Sequence, residues 1–564
     1  MASIIKKVKK GRPYYYAVKS ARVNGKPRIV WQKYLGTVDA IVARATDARP
    51  AEPAEAVIFE LGGVAALLGI AQRLNLTELI DEVVPKREQG PSVGQYMVLA
   101  ALNRALSPCS KMAIGDWYEG TVLRRLWAYP KKAFSSQRFW DHMSMVSEEA
   151  IRQVEERLLE RISSEFGLDG SLLLYDTTNF FTFLATTNDR AGLPQRGHSK
   201  AKRHDLRQVG LALMVTKDYR VPLLHRVYEG NVPDVTLFPE ISIDLIDRYK
   251  KLTGAASEAT LVFDKGNVSD DAMENLVARK AHFAGALAAS RFPELLAVPQ
   301  ARFSDLEEMP GSRAYAITER IWGCDCQVVV VYSESFFTKQ LAGVTNNMAK
   351  CQNRLRDLER SLARWRQGSP RGRKPTTAGV RKKVKEILIP QFMGQLFLIE
   401  VEEEGGIPRL RYSVDHEALR RLADERLGKT LLVTDHADWS AGQLAEAYRS
   451  LTSIEETFRN MKNVHFLSWD PAYHWTDQKI RVHAFYCVLA LTLATLAAKV
   501  ASEAGIDMTL PALLKELSSI REVALIYPVG APVRPKDHVT LSRMSPRQRK
   551  LAELLGIADV AGAG

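Results

Sequence analysis

Between residues 171 and 290 the hydrophobic period changes from helical to strand-like, and this restricts the fold more than any other feature of the chain. Five short apolar runs follow one another there: SLLLYD, RQVGLALMVTKD, VPLLHRVYEG, TLVFDKG and HFAGALAAS. A helix-like stretch, VTLFPEISIDLIDRYKKL, precedes the fourth run, and SDDAMENLVARKA precedes the fifth. Three strands in a meander followed by β-α-β-α-β predict an α/β layer arrangement, with helices covering a mixed sheet. Asp176 closes the first run and Asp264 the fourth. The ends of strands in open α/β sheets are where ligand crevices form.

The flanking segments divide by pattern. Residues 1–44 predict a small basic β arm, with strands at Tyr14–Val18 and Pro27–Tyr34 joined by an Asn-Gly hairpin turn. Residues 45–165 predict a helical region, from the 3.6-residue period of VAALLGIAQRLNLTELIDEVV and VGQYMVLAALNRAL and the Ser-capped start of VSEEAIRQVEERLLERISSEFG. Beside the basic arm it suits DNA binding, and the pattern alone equally allows a purely structural helical bundle. The α/β core occupies 166–290 and resumes at 437–500, and 501–564 reads as a helical tail. Between the two parts of the core, 291–436 reads as a β-rich insertion with a charged helix near 338–366. Its glycine-, proline- and threonine-bearing stretch 368–379 reads as a loop that orders on a partner.

Charge narrows the partner. The chain of 564 residues carries a formal net charge of +13. The excess is concentrated: the first 38 residues hold ten Lys or Arg and no acid, and Arg364–Lys385 holds nine and no acid. Such clustering favours a polyanion through counterion release. A 46% apolar content excludes a disordered chain. Five cysteines make no disulfide framework. Cys324 and Cys326 share one strand face in CDC, but no second pair or nearby histidine cluster in the sequence completes a zinc site, so free thiols are expected. The apolar stretch 484–498 is short for a bilayer span and predicts a buried core helix, hence a cytoplasmic, nucleoid-associated protein with no membrane partner.

Asp176, Asp264 and Glu455 are the candidate catalytic and metal-holding residues. Two carboxylates on a sheet and a third on a helix can clamp two divalent cations roughly 3.5–4 Å apart, the arrangement that serves phosphoryl transfer. Taken singly, each aspartate is equally an Asx turn. The segment YRSLTSIEETFRNMK adds weight, because Glu455, Arg459 and Lys462 follow i, i+4, i+7 spacing and Tyr448 lies seven residues before Glu455. His198, Lys200, Arg203, Asp205 and Arg207 cluster in a loop before the second strand, read as phosphate-contacting with a merely solvated loop as the alternative. Arg371, Arg373, Lys374, Lys382 and Lys383 form the basic loop of the insertion. His483 reads as a core histidine or a DNA contact rather than a metal ligand, and His474 has no assigned role.

These residues resemble a DDE insertion-sequence transposase of the RNase H-like superfamily, in the group with a Tyr-x2-Arg-x3-Glu-x6-Lys signature. Tyr448, Glu455 and Lys462 match it, and Leu451 stands at its Arg position. GHSKAKRHDLRQVGLALMVTKDYRVPLLHRVYEGNVPD and WDPAYHWTDQKIRVHAFYCVLALTLA also resemble the group. The resemblance implies an RNase H-like core and two Mg²⁺ or Mn²⁺ ions held by the three carboxylates. It implies cleavage at the transposon inverted-repeat ends, followed by strand transfer into target DNA by a homodimer in the DNA complex. It further implies that Tyr448 and Lys462, with Arg459 in place of the missing Arg, grip the terminal phosphate, and that Trp322 or Trp365 stabilises a flipped base. The competing readings are a nuclease of the same fold without strand transfer and an inactive DNA-binding relative.

Overall fold

The structure, a computed structural model, describes residues 2–561 apart from 24–25, 46–51, 87–88, 186, 198–202, 254–258, 369–372 and 530–534. The chain divides into two units, one made of Met1–Phe166 with Asn460–Gly564 and the other of Gly167–Arg459.

The first unit opens with β1 (Ala2–Lys9), β2 (Arg12–Val23) and β3 (Lys26–Gly36) in an antiparallel sheet. The two expected strands are there, and β1 is an addition that its paired lysines (Lys6-Lys7, Lys9-Lys10) hid by breaking any alternation. The expected Asn-Gly turn lies outside the described residues. After β4 (Glu55–Glu60) come the helices Gly62–Arg73, Leu76–Val83, Val93–Leu106 and Glu148–Phe166. Ser92 and Gln95 cap the third of these reciprocally, and the Ser147 hydroxyl accepts from Ala150 N at 3.0 Å at the start of the fourth.

In the second unit all five expected strands form: β5 (Leu172–Thr182), β6 (Arg207–Thr216), β7 (Pro222–Glu229), β8 (Thr260–Phe263) and β9 (His282–Ala286). β5, β6 and β7 pair antiparallel, while β8 joins β5, and β9 joins β8, in parallel. The helices Asp234–Thr253 and Asp270–Ala278 precede β8 and β9 as expected. This is a mixed α/β sheet.

The segment 291–436 departs from the expected separate insertion. It supplies β10 (Ser304–Asp305), β11 (Ser312–Ile321), β12 (Cys324–Ser333), the hairpin β13 (Phe397–Glu404) and β14 (Ile407–Val414), and β15 (Lys429–Thr434). Four of these extend the core sheet beyond β9, giving the order β10-β11-β12-β15-β9-β8-β5-β6-β7. The unbroken run Val328–Val331 in β12 is the sequence mark of burial on both faces, which a free-standing hairpin does not need. The rest of the segment has its own core. Val344, Cys351, Leu355 and Leu362 form one stripe of the helix Glu334–Arg366 and share a buried cluster with Val380 and Val384 of the helix Thr377–Ile387 and with Phe397 and Leu410 of the hairpin.

The chain then returns to the first unit. The helix Asp477–Glu503 is 27 residues long, longer than its apolar stretch suggests, and by length and composition alone is apolar enough to cross a membrane. Its most apolar 18-residue window is 89% buried within the chain. β16 (Arg521–Ile526) and β17 (His538–Leu541) pair in the order β17-β16-β4, so the tail is not wholly helical.

A buried polar chain runs through this unit. The His483 Nε2–H donates to Trp469 O at 2.7 Å, and the His474 Nε2–H donates to His483 Nδ1 at 2.7 Å. The Tyr486 hydroxyl also lies against that Nδ1, and Lys111 Nζ donates to the hydroxyl at 2.8 Å. His483 is thus a satisfied core histidine. Burial, then the positive charges of Lys111 and Arg104, hold His474 well below the usual imidazole range. His483 is lowered in the same way, with His474 adding to the effect. Burial also brings Lys111 down to about 7. The unfolded chain therefore binds more protons, and stability is lost as pH falls below the free imidazole value, by up to about 1.4 kcal/mol per pH unit for each histidine. Urea melts at about pH 7 and about pH 5.5 bracket that value and check this. The wild type should weaken on acidification, and His474→Gln should weaken less.

Candidate active site

Asp176 is not at the end of its strand. It is the fifth residue of β5, whose ladder with β6 continues to Thr182↔Arg207. Only the apolar pattern stops at Asp176; the β-branched and aromatic residues of Thr-Thr-Asn-Phe-Phe-Thr keep the strand going. Asp264 does follow the last residue of β8, and its backbone is still extended (φ −83°, ψ 159°).

Strand register brings the two together. β5 and β8 pair as Leu172↔Thr260, Leu173↔Leu261 and Leu174↔Val262. Continued two residues, this register sets Asp176 beside Asp264. Neighbouring strands lie about 4.8 Å apart and side chains alternate faces, so the two carboxylates share one face of the sheet. Their predecessors, Tyr175 and Phe263, are fully buried on the other face. There both pack against Phe238 of the helix Asp234–Thr253, each with ring centroids 5.1 Å apart. Gly285, the β9 partner of Phe263, is needed for this, because a Cβ there would lie 2.4 Å from the Phe263 ring.

The third carboxylate arrives on helices. Ser440 and Gln443 cap the helix Ala441–Arg449, which packs against β8, β9 and β15. Its last turn carries Tyr448, whose hydroxyl donates to Asp264 Oδ1 at 2.7 Å. The helix then stops. Ser450 and Leu451 form a break, with Leu451 buried, and a new helix runs over Thr452–Met461. The single helix expected from the sequence is therefore two, and Tyr448 and Glu455 do not share a face. Glu455 sits in the first turn of the second helix, where the macrodipole favours a negative charge.

Tyr448 reports how these groups converge. Burial raises its hydroxyl well above the usual phenol range, and so do the hydrogen bond and charge of Asp264 and then the charges of Glu455 and Asp176. The charges of all three carboxylates thus reach one half-buried phenol, although their oxygens do not gather within 4.8 Å of one another. The anchors of the two helices carry no mark in the sequence pattern. In the β6–β7 turn, Tyr219 and Arg220 both have positive φ (59° and 56°). Lys217 pairs with Glu446 at 3.0 Å and Arg220 with Glu456 at 3.7 Å. Each exposed pair contributes at most about 1 kcal/mol, so they orient the helices more than they stabilise them. A set of three carboxylates is a hard oxygen donor set, which fits Mg²⁺ or Mn²⁺.

The expected DNA contacts are less gathered. Arg459 is exposed on the second helix, which ends at Met461, one residue short of Lys462, so the i+7 alignment expected for Lys462 runs out. Arg203 is engaged with Asp205 by two hydrogen bonds of 2.8 and 2.7 Å, and Arg207 donates to Asn188 O at 2.9 Å. Both are tied to the loop itself, and Arg207 is already the first residue of β6. His198, Lys200 and Arg371 lie outside the described residues. Arg373 and Lys374 are exposed. Lys382 and Lys383 are exposed on the helix Thr377–Ile387 rather than in a loop, because Val380, Val384 and Ile387 give that segment an apolar stripe. Trp322 donates its Nε1–H to Asp270 at 2.7 Å beneath the Arg291 guanidinium, 5.0 Å from the ring, and Trp365 is half-buried near the end of the long helix.

No protein-family model matches the chain, and no curated protein matches it. Among solved structures, a piggyBac transposase synaptic complex with hairpin DNA aligns at 11% identity and a TM-score of 0.37, over 81% of this chain and 78% of that one. A Mos1 transposase paired-end complex with the left transposon end aligns at 11% identity and a TM-score of 0.16, over 37% of this chain and 63% of that one. These scores are too low to carry a functional conclusion, which rests instead on the site.

Proposed function

We propose that the chain is a DNA transposase of the DDE type, with an RNase H-like core in which Asp176, Asp264 and Glu455 hold two divalent cations. The observation that carries this reading is the register of β5 and β8, which sets Asp176 beside Asp264, with Tyr448, one helix before Glu455, hydrogen-bonded to Asp264 at 2.7 Å. When bound, the ions would activate the attacking oxygen and stabilise the leaving one. The chain's own residues supply the rest. Asp176 and Asp264 fix the donor spacing through strand register. Tyr448 keeps its proton and orients Asp264. Exposed Arg459, with Lys462, meets DNA phosphate.

In the first reaction water attacks a phosphodiester at a transposon end, its proton goes to solvent, and the 3′ oxygen leaves as a hydroxyl. In the second, that hydroxyl attacks a target phosphodiester and displaces the target's 3′ oxygen, so bond count is conserved without an external energy source. Two ends joined to one target require two such sites, for which a two-fold dimer on DNA is the simplest arrangement. The segments 505–557 and 338–366 are the candidate surfaces.

A protonated, acceptor-facing Tyr448 argues against a covalent tyrosine–DNA intermediate. Tyr448→Phe should therefore keep cleavage within about a hundredfold of wild type, the scale of losing one orienting partner. Labelled transposon-end duplexes incubated with a target plasmid and Mg²⁺ test both points. Cleaved ends and joined products support the proposal. Cleavage without joining supports the nuclease alternative, and complete loss in Tyr448→Phe with a protein-linked product in wild type overturns the mechanism.

A further inference from the structure

The opposite end of the same strands holds a second constellation. His282 opens β9, while Asp435 and His436 directly follow β15. β9 and β15 are antiparallel, so the start of one meets the end of the other, and one donor atom from each of the three residues lies within 4.8 Å of the other two. Among the described residues this is the group of histidine, cysteine and acidic side chains with that geometry.

The residues are held for a purpose the backbone alone does not require. The Asp435 carboxylate accepts from Phe283 N at 2.9 Å and meets His282 Nδ1 at 2.8 Å. His436 Nε2 lies 2.7 Å from the Thr260 hydroxyl at the start of β8. The His282 ring stacks on His436 with centroids 4.4 Å apart, and Trp439 stacks on the far side of His436 at 4.3 Å. The side chains of His282, Asp435 and His436 are 35%, 17% and 14% exposed, so the group is ordered yet open to solvent. The fold also brings in the CDC pair, whose sulfurs are 3.5 Å apart and whose thiols are raised by burial and by the Asp435 charge. The histidine cluster that the sequence did not show beside CDC is assembled by strand pairing.

We propose that His282, Asp435 and His436 form a transition-metal site, with zinc as the ion, separate from the carboxylate site. Thr260 and Asp264 bracket β8, four residues apart, which sets the two sites about 13 Å from each other. Two imidazoles and one carboxylate suit zinc, where three carboxylates suit Mg²⁺. Zinc at about 2.0–2.2 Å from each ligand needs donors somewhat closer than 4.8 Å and in-plane imidazole lone pairs, so loading turns the His282 and His436 rings out of the stack they form without the ion. Its place gives it a role. β15 is where the chain of 291–436 rejoins the core, and it pairs with β9 through only three residues, Leu432↔Ala286 to Thr434↔Ala284. An ion shared by His282 and His436 staples that short seam.

The test uses the full chain carrying Asp264→Asn, which disables the carboxylate site. After zinc loading and dialysis, elemental analysis should find one zinc per chain, not displaced by excess Mg²⁺, and zinc should raise the melting temperature of the chelated protein. Adding His282→Ala or His436→Gln should weaken zinc binding by at least about a hundredfold, since even the loss of a partner that only orients a ligand costs up to that much. Each variant should also melt at the temperature of the chelated parent, which shows that it is folded. Less than a tenth of an equivalent of zinc in the parent, or equal zinc in parent and His436→Gln, would overturn the proposal. Neither result bears on strand cleavage by the wild-type carboxylates.

Discussion

Asp176→Asn, Asp264→Asn and Glu455→Gln are each expected to lower strand cleavage by about a thousandfold or more, while binding of transposon-end duplex stays within about threefold of wild type. The size follows from the chemistry: each substitution removes a negative donor from a cation that stabilises charge only in the transition state. Folding should not suffer. Each amide keeps the size of the side chain it replaces, and the amide of Asp264→Asn still offers an oxygen to the Tyr448 hydroxyl, so the melting temperature in chelator should stay level. Gel assays of end cleavage with Mg²⁺, beside melting curves in chelator, separate the two effects. Retained cleavage in any one variant would remove that residue from the site.

The second large effect concerns salt. Neutralising basic residues of the N-terminal sheet and of the 373–383 segment should flatten the dependence of DNA affinity on salt. The log–log slope should fall by about 0.9 for each DNA phosphate that the protein no longer neutralises. Removing residues 1–10 outright is a poor way to show this, because β1 pairs with β2 over Ala2↔Lys19 to Lys9↔Arg12 and deletion leaves a bare edge. Substituting Lys6, Lys9 and Lys10 by Gln keeps the strand. Lys7 is better left alone, since it lies over the Tyr16 ring at 4.8 Å. Arg373, Lys374, Lys382 and Lys383 form the second set. Binding isotherms over a range of NaCl should show each set lowering the slope. An unchanged slope would mean that these charges only solvate the surface.

The core strands were legible because burial writes itself into sequence as apolar runs, and the helices because capping and 3.6-residue spacing do the same. The pairing that matters most was less visible. The spacing between Asp176 and Asp264 equals the register offset of β5 and β8, but a spacing becomes a register only once the strands are known to be neighbours and parallel. The break at Ser450–Leu451 was hidden because neither residue is a helix breaker; the chain turns there to bury Leu451 and Ile454 while Tyr448 reaches Asp264. The extension of the sheet by β10, β11, β12 and β15 was missed because the long helix and hairpin lying between β12 and β15 in the chain separate strands that are adjacent in space. The group of His282, Asp435 and His436 was missed for the same reason, since its parts come from two strands more than a hundred residues apart.

Manganese makes the most direct test of the carboxylate assignment. Anomalous scattering from crystals of the wild-type chain grown with transposon-end DNA and Mn²⁺ should show two peaks roughly 3.5–4 Å apart, touched by Asp176, Asp264 and Glu455. A manganese pair bound elsewhere, or one that engages the two aspartates while the Glu455 carboxylate stays outside both coordination spheres, would contradict the assignment.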